Sequence, residues 1–344
     1  MAEITIRGAG IFGLSIAWAC ARRGATVRVI DPNGPGAGAS GGLVGALAPH
    51  VPENWNSKKA FQLDSLLMAQ AFWDAVHDTG GVSAGYGRTG RLQPIADARA
   101  LDLARVRAAT ADTLWQGAAT WRVLPASELG PWAPPSASGF LIHDTLSARM
   151  HPRHACTALV AALAAMGVSV APDGPDRGRV IHATGATGLR DLSNALGKLV
   201  GAAVKGQAAL LRFDAHNAPQ LFIDGLHLVP HADGTLAIGS TSERDFDAPD
   251  TTDAQLDALI DRATSAMPVL HGTEVLDRWA GLRPRSRSRA PMLGAHPLKP
   301  DHFIANGGFK IGFGMAPKIA EVMADLVLDD HDTIPPDFRV EASL

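Results

Sequence analysis

Hydrophobic and polar positions along Glu3–Asp31 switch period twice. A β-rich run enters Gly8-Ala9-Gly10-Ile11-Phe12-Gly13, a helical spacing follows, and a second β-rich run, Ala25-Thr26-Val27-Arg28-Val29-Ile30, ends at Asp31. Further on, helical spacing starts at Ser57, with Leu66, Ala69, Trp73 and Val76 on one side and Gly80 as the stop signal. Asp97–Ala109 is a second amphipathic helix with Asp97 as its N-cap. Pro152 suits the first turn of a third, in which Ala155–Met166 is apolar on most sides and therefore buried, ending at Gly167. A fourth, capped by Thr251 or Thr252, carries Leu256, Leu259, Ile260 and Ala263, and the last runs from Pro317 to Leu328. Gly85–Pro94 reads as a strand pair, and strand patterns fall at Val168–Val170 and Arg179–Gly185. Gly206–Phe213, Leu226–Pro230 and Leu236–Ser240 follow one another with turns but no helix between them, which predicts an antiparallel sheet. The fold class is α/β: a Rossmann-like unit with a second, antiparallel-sheet domain.

The first unit carries chemistry. Gly8 makes a tight turn, Gly10 lets a pyrophosphate approach the backbone, and Gly13 lets the helix pack close to the strand. The helix N-terminus faces the phosphates with unpaired N–H groups, and Asp31 stands where a ribose hydroxyl donates. Dinucleotide binding follows, although these residues do not separate FAD from NAD. Pro32–His50 is rich in Gly, Ala, Pro and Ser and cannot build a core. Its position after the ribose acid makes it a backbone laid flat against something large rather than a linker.

Composition narrows the partners. The 344 residues carry a net charge of -3 and 46% hydrophobic content, enough for two domains and a large core. No global field draws the chain to nucleic acid or an anionic membrane, which leaves small molecules as partners. Cys20 and Cys156 lie inside helices without metal-ligand spacing, as buried small hydrophobes of a reducing compartment, and no metal site is expected. No apolar run reaches the roughly 18 to 20 residues of a membrane span. A cytoplasmic protein is expected, with its oligomeric state left open.

Several ordered motifs add a resemblance. Besides the glycine turn and Asp31 there are Ala39-Ser40-Gly41-Gly42 leading into Gly45–His50, and Ala183-Thr184-Gly185 at a strand end. Arg278-Trp279-Ala280-Gly281-Leu282-Arg283-Pro284 precedes Pro291-Met292-Leu293-Gly294, and Asn306–Gly312 precedes the last helix. The chain resembles the FAD-dependent amine oxidoreductases of the D-amino acid oxidase type, most closely their glycine oxidase and sarcosine oxidase branch. The resemblance implies a discontinuous FAD-binding domain (1–80, 146–200 and 276–344) and a substrate domain (81–145 and 201–275) whose sheet roofs the flavin. It places Ile11, Phe12, Asp31, Pro32, Ala39 and Ser40 at the pyrophosphate and adenosine, and Gly185 at the adjoining strand end. Val44, Gly45 and Ala46 lie along the isoalloxazine. Gly308, Phe309, Lys310, Ile311, Gly312, Phe313 and Gly314 pass its pyrimidine edge. Attachment is expected to be non-covalent, since neither cysteine lies where sarcosine oxidases carry their flavin link. Between Val170 and Val180 the chain has only a short loop where the family inserts a longer meander over the adenine.

The implied activity is oxidation of the C–N bond of a small amino acid or N-substituted amino acid, with O2 or another acceptor taking the electrons. Arg283 matches the family's carboxylate anchor, and its planar fork suits a bidentate carboxylate. Lys310 stands where the glycine oxidase branch has a second arginine; it is read as a substrate-facing cation, as a local positive charge that assists oxygen reduction, or as an ordinary surface charge. His227 takes a position often held by a tyrosine, where it donates to the carboxylate, titrates near neutral pH, or is simply a satisfied strand histidine. His50 is a weaker candidate, and His182 and His231 are read as structural. Arg283, Arg285, Arg287 and Arg289 alternate, which on an extended backbone puts all four on one solvated edge or against a second anionic group. Trp55 and Phe61 are core residues by default and pocket-mouth residues otherwise. Rival readings are a flavin dehydrogenase feeding a quinone or carrier, a flavin domain acting on a modified tRNA base, against which the acidic balance argues, and a redox-silent assembly flavoprotein.

Overall fold

The computed structural model describes residues 2–344. Strand β1 (Glu3–Arg7) leads through the glycine turn to α1 (Ile11–Arg22), buried on nearly every side, and back to β2 (Thr26–Ile30). After the short β3 (Ala46–Leu47), the long α2 (Ser57–Gly80) starts at an Asn56 side chain that accepts from Lys59 N. It stops at Gly81, whose φ of +69° is the left-handed turn a helix end uses. Gly80 is therefore not the stop; it lies inside the helix, where a Cβ would be 2.5 Å from Ala162 N.

Next come β4 (Arg91–Pro94), α3 (Ala98–Trp115), β5 (Trp121–Pro125), β6 (Phe140–Asp144) and β7 (Ala148–Arg149). Asp97 caps α3 as expected, its carboxylate 2.8 Å from Ala100 N, and the helix continues well past Ala109 because Ala111 and Trp115 keep its apolar face buried. Then follow α4 (Pro152–Ala165), β8 (Val170–Ala171), β9 (Arg179–His182), α5 (Gly185–Leu196), β10 (Gly201–Leu211), β11 (Gln220–Ile223), β12 (Leu226–Pro230) and β13 (Leu236–Gly239). Helix α6 (Ala254–Ala266) is capped by Asp253, which accepts from Gln255 N, rather than by Thr251 or Thr252. The chain closes with β14 (Val275–Ser286), β15 (Met292–Ala295), β16 (His302–Asn306) and α7 (Gly312–Asp329), the last starting a turn earlier than Pro317.

Two large sheets result. The first is six-stranded, β15-β16-β9-β1-β2-β8, parallel from β16 to β8 with β15 antiparallel at one edge. The second is eight-stranded, β14-β10-β13-β12-β11-β4-β6-β5, and antiparallel apart from the β11–β4 pair. Helices α1, α2, α4 and α7 pack on one another beside the first sheet around the largest apolar cluster, which includes Trp18, Trp73, Ile319 and Met323. Phe61 belongs to it, stacked 4.7 Å from Phe338, so its role is core packing.

Candidate active site

The C-terminal ends of β1, β9 and β16 meet at a glycine-lined crevice, the usual place for a ligand in an open parallel sheet. Gly8 has φ +107°, and a Cβ there would run into the Ala183 carbonyl. A Cβ on Gly13 would strike the Gly8 carbonyl, so strand and helix approach as closely as backbones can. Gly10 is different: φ is an ordinary -81°, and its missing side chain would meet only the Ser40 hydroxyl, at 3.1 Å. That hydroxyl accepts from Ile11 N at 2.9 Å, and Ala39 opens the single turn that presents it.

Asp31 accepts from Ala9 N (2.8 Å) with one oxygen and from Asn33 N (2.9 Å) with the other, across the Pro32 turn. Each oxygen keeps a lone pair for a further donor. Asn306 binds the Gly185 carbonyl at 2.9 Å, which joins the start of α5 to the glycine turn before α7. Gly308 faces the Phe12 ring, 2.7 Å from where a Cβ would stand, and Gly312 faces Ile11 and Phe12. Gly314 lies against Leu47 and Leu66, while Ile311 is the backbone N-cap of α7 and Phe313 packs at the core's margin. Helices α1, α5 and α7 all begin without an acid in the first turn. Three helix N-termini, a backbone-wide floor and the Asp31 carboxylate at the end of β2 fit a dinucleotide such as FAD.

Gly45 presses its backbone on Met150, Ala46 pairs with Arg149, and Val44 packs toward Gly239 and Ala208 of the second sheet. The Pro32–His50 segment thus lies between cradle and roof. Both thiols are buried in helices, and burial pushes each up to about 12, which leaves them protonated and unreactive. Residues 172–178, where a meander over the adenine is expected, form a short loop held to β1 by the Arg7–Asp176 pair at 2.7 Å and by Thr5 bonding to Arg177.

The roof supplies the charges. Arg283 on β14, paired with Val204 of β10, is 8% exposed and lies over Gly206, where any Cβ would overlap its guanidinium. Its one protein acceptor among the described residues is the Thr241 carbonyl at 3.2 Å. Burial, only partly offset by Glu243, brings its pKa down to about 10. Glu243 is engaged elsewhere, by the Thr241 hydroxyl, by Gln207 at 3.1 Å and by Lys205 at 3.5 Å.

Lys310 reaches this place because the Gly308 turn hangs on β14: Gly308 bridges to Arg285, and Phe309 N donates to the Pro284 carbonyl at 2.9 Å. Phe309, at a left-handed φ of +43°, has Arg285 5.4 Å and Lys310 5.7 Å from its ring centre. Burial and then the charges of Arg283 and Arg285 lower the Lys310 pKa.

His227 faces the same group from β12. Burial first, then Arg91, Lys310 and Arg283, hold its pKa at about 3, so it is neutral at physiological pH and does not titrate there. Its Nδ1 is buried without a partner among the described residues. His50 is tied down by Gln62, which accepts from both its backbone and its ring.

The four alternating arginines do not form one edge. Arg283 and Arg285 point into the site, β14 ends at Ser286, and Arg287 and Arg289 lie exposed beyond it. Sequence reasoning overlooked Arg91, which is buried in a pair with Asp144 at 2.9 Å and lies 5.8 Å from the Phe222 ring that contacts His227. Arg91 and Gln93 flank Leu92 in the alternation of an ordinary strand with one polar face, so the sequence carried no signal that set Arg91 apart.

Comparison with known proteins places these features in context. Residues 3–326 match the profile described as FAD dependent oxidoreductase (DAO). Glycine oxidase of Pseudomonas putida is 32% identical over 135 residues, 39% of this chain and 37% of that protein. The bifunctional protein ThiO/ThiG of Nostoc is 25% identical over 95% of this chain but 53% of its own length. The chain thus spans about half or less of these two relatives. The structure of glycine oxidase from Geobacillus kaustophilus superposes with a TM-score of 0.82 at 22% identity, covering 99% of both chains. Iminodiacetate oxidase from Chelativorans gives 0.84 at 22% identity over 98% of both. Among the described residues no helix is long and apolar enough to cross a membrane.

Proposed function

Because this chain belongs to the FAD dependent oxidoreductase family, we propose that it oxidises the C–N bond of a small amino acid or N-substituted amino acid. The observation that carries this reading is Arg283: a buried guanidinium with one carbonyl acceptor, beside Lys310 and a neutral His227, on the roof over the glycine cradle. A desolvated fork without a carboxylate of its own suits a substrate carboxylate, which it would hold bidentately. Anchoring the carboxylate fixes the α-carbon, and little acid–base machinery is needed beyond that positioning. His227, neutral and with a ring nitrogen to spare, can share a hydrogen bond with the substrate without adding charge. Held by the glycine turn, Asp31 and the Ser40 turn, FAD would supply the two-electron acceptor for the α C–H hydride, with O2 as the final oxidant. The substrate leaves as an imine that water converts to an oxo acid and an amine. Lys310 keeps positive charge where oxygen is reduced to peroxide. The similarity to glycine oxidases and to iminodiacetate oxidase supports this substrate class. The two buried, unpaired cysteines suit the cytoplasm.

The test is anaerobic mixing of purified, flavin-loaded protein with glycine, sarcosine, iminodiacetate and D-amino acids while flavin absorbance is followed. Bleaching by one of these amines is expected. Bleaching by dithionite but by no amino acid would reject the proposal, and amine-driven bleaching with dye reduction but negligible peroxide would replace O2 by a quinone or carrier.

A further inference from the structure

A second cluster of chemistry lies where the start of α4 meets the end of β12. His151, the backbone N-cap of α4, has its ring 4.0 Å from that of His154 and 4.5 Å from that of His231. One ligand atom from each of His151, His154 and Asp233 falls within 4.8 Å of the others. His151 and His231 are 6% and 0% exposed, whereas His154 and Asp233 are at the surface.

The proton positions follow from the bonds. The Thr235 hydroxyl has a single hydrogen, which it gives to Asp233 Oδ1 at 2.7 Å. Toward His231 Nδ1, 3.0 Å away, it can therefore only accept, so Nδ1 carries the ring hydrogen. His231 Nε2 is then left with a lone pair, buried and without a partner among the described residues, and His151 Nδ1 is buried and unpartnered there as well. Orphaned buried nitrogens need an explanation, and lone pairs beside a second imidazole and a carboxylate have the donor chemistry of a metal ligand set.

The geometry points to a binding site for a divalent transition-metal ion, zinc in the first instance, formed by His151, His154 and Asp233, with His231 packed beside His151. Thr235 is the outer partner, orienting His231 and Asp233 with one hydroxyl. The N-terminal end of α4 and the charge of Arg149 oppose a cation here, and Asp233 is the anion among the three ligands. The expected affinity is micromolar rather than that of a structural zinc. Its consequence is mechanical: α4 packs with the helices of the nucleotide unit, whereas β12 carries His227 in the roof, and Met150 next to His151 packs on Gly45. A bound ion would staple cradle to roof beside the flavin-lining segment.

The test uses tag-free, chelator-treated, flavin-loaded protein titrated with Co2+, whose four-coordinate absorption lies to the red of the flavin bands, followed by competition with Zn2+. One saturable equivalent is expected, together with a Tm that rises with metal concentration. The surface variants His154→Ala and Asp233→Asn, with unchanged circular dichroism, should each weaken binding about tenfold or more, Thr235→Val about tenfold, and His296→Ala, in the separate group of His182, His296 and His302, not at all. Absence of a saturable cobalt band at millimolar metal, or unchanged affinity in the His154 and Asp233 variants, would overturn the assignment.

Discussion

Replacing Arg283 by methionine should separate ligand binding from stability. Burial brings this arginine's pKa from 12.5 to about 10, a difference worth about 3 kcal/mol against its charged form. The protein returns little of that: one carbonyl bond at 3.2 Å from Thr241, and a carboxylate, Glu243, that Lys205 and Gln207 already hold. Two charge-assisted bonds to a ligand carboxylate would contribute about 3 to 6 kcal/mol. Their loss corresponds to roughly a hundred- to ten-thousandfold in affinity. Methionine fills similar volume without the charge, so Tm should stay level or rise, because removing a buried, poorly paired ion relieves its desolvation cost. The assay is titration of the oxidised flavoprotein with small carboxylates, read by the shift of the flavin spectrum, alongside thermal unfolding. Arg283→Lys should fall between, since it keeps the charge and loses the fork. Carboxylate affinity equal to wild type in Arg283→Met, with a Tm lowered by several degrees, would show that the arginine is structural and refute the anchor.

Gly10→Ala should fold, because its backbone angle is ordinary and only Ser40 is near, yet lose FAD affinity about tenfold or more as the methyl group intrudes on the pyrophosphate approach; Gly13→Ala should fail to give soluble flavoprotein at all. Equilibrium dialysis against FAD and expression yield distinguish the two. Lys310→Met should slow reoxidation by O2 about tenfold while leaving anaerobic reduction within about threefold, as stopped-flow would resolve. His227 gives a pH dependence whose sign is fixed by its lowered pKa of about 3 against an ordinary 6.5. Above pH 6.5 folded and unfolded chains both hold it neutral and its contribution is complete; below that only the unfolded chain takes up the proton, so stability falls until pH approaches 3. Urea unfolding of wild type and His227→Gln at pH 7 and pH 5 should therefore differ in acid loss by about 2 kcal/mol, the variant being the less sensitive.

What could be read from the chain follows the range of the interactions involved. The glycine turn, Asp31 and the strand–helix–strand opening are local, and the structure places them as expected. Helix α5 went unread because it opens on Gly185-Ala186-Thr187-Gly188, which looks like a loop until Asn306 secures the Gly185 carbonyl from far along the chain. Strands β5 and β11 are short and flanked by proline, so pairing with β6 and β12, rather than propensity, makes them strands. The alternation of Arg283, Arg285, Arg287 and Arg289 was visible, but not that β14 ends after Ser286. His227 could be assigned to a strand from its neighbours, while its resistance to protonation comes from Arg91, Lys310 and Arg283, two of them distant in sequence from one another and from it.

The site depends on one joint more than on any single residue. β14 pairs with β10 along nearly its whole length as a strand of the roof, yet Pro284 and Arg285 at its end bond to Phe309 and Gly308, which lead into α7 of the cradle. The same few residues therefore set where Arg283 stands over Gly206 and where Lys310 stands beside the α7 N-terminus. A shift at that joint moves the Arg283 guanidinium and the Lys310 ammonium together. The positions of Arg283 and Lys310, 27 residues apart in the chain, are thus both set by the backbone geometry of one strand end.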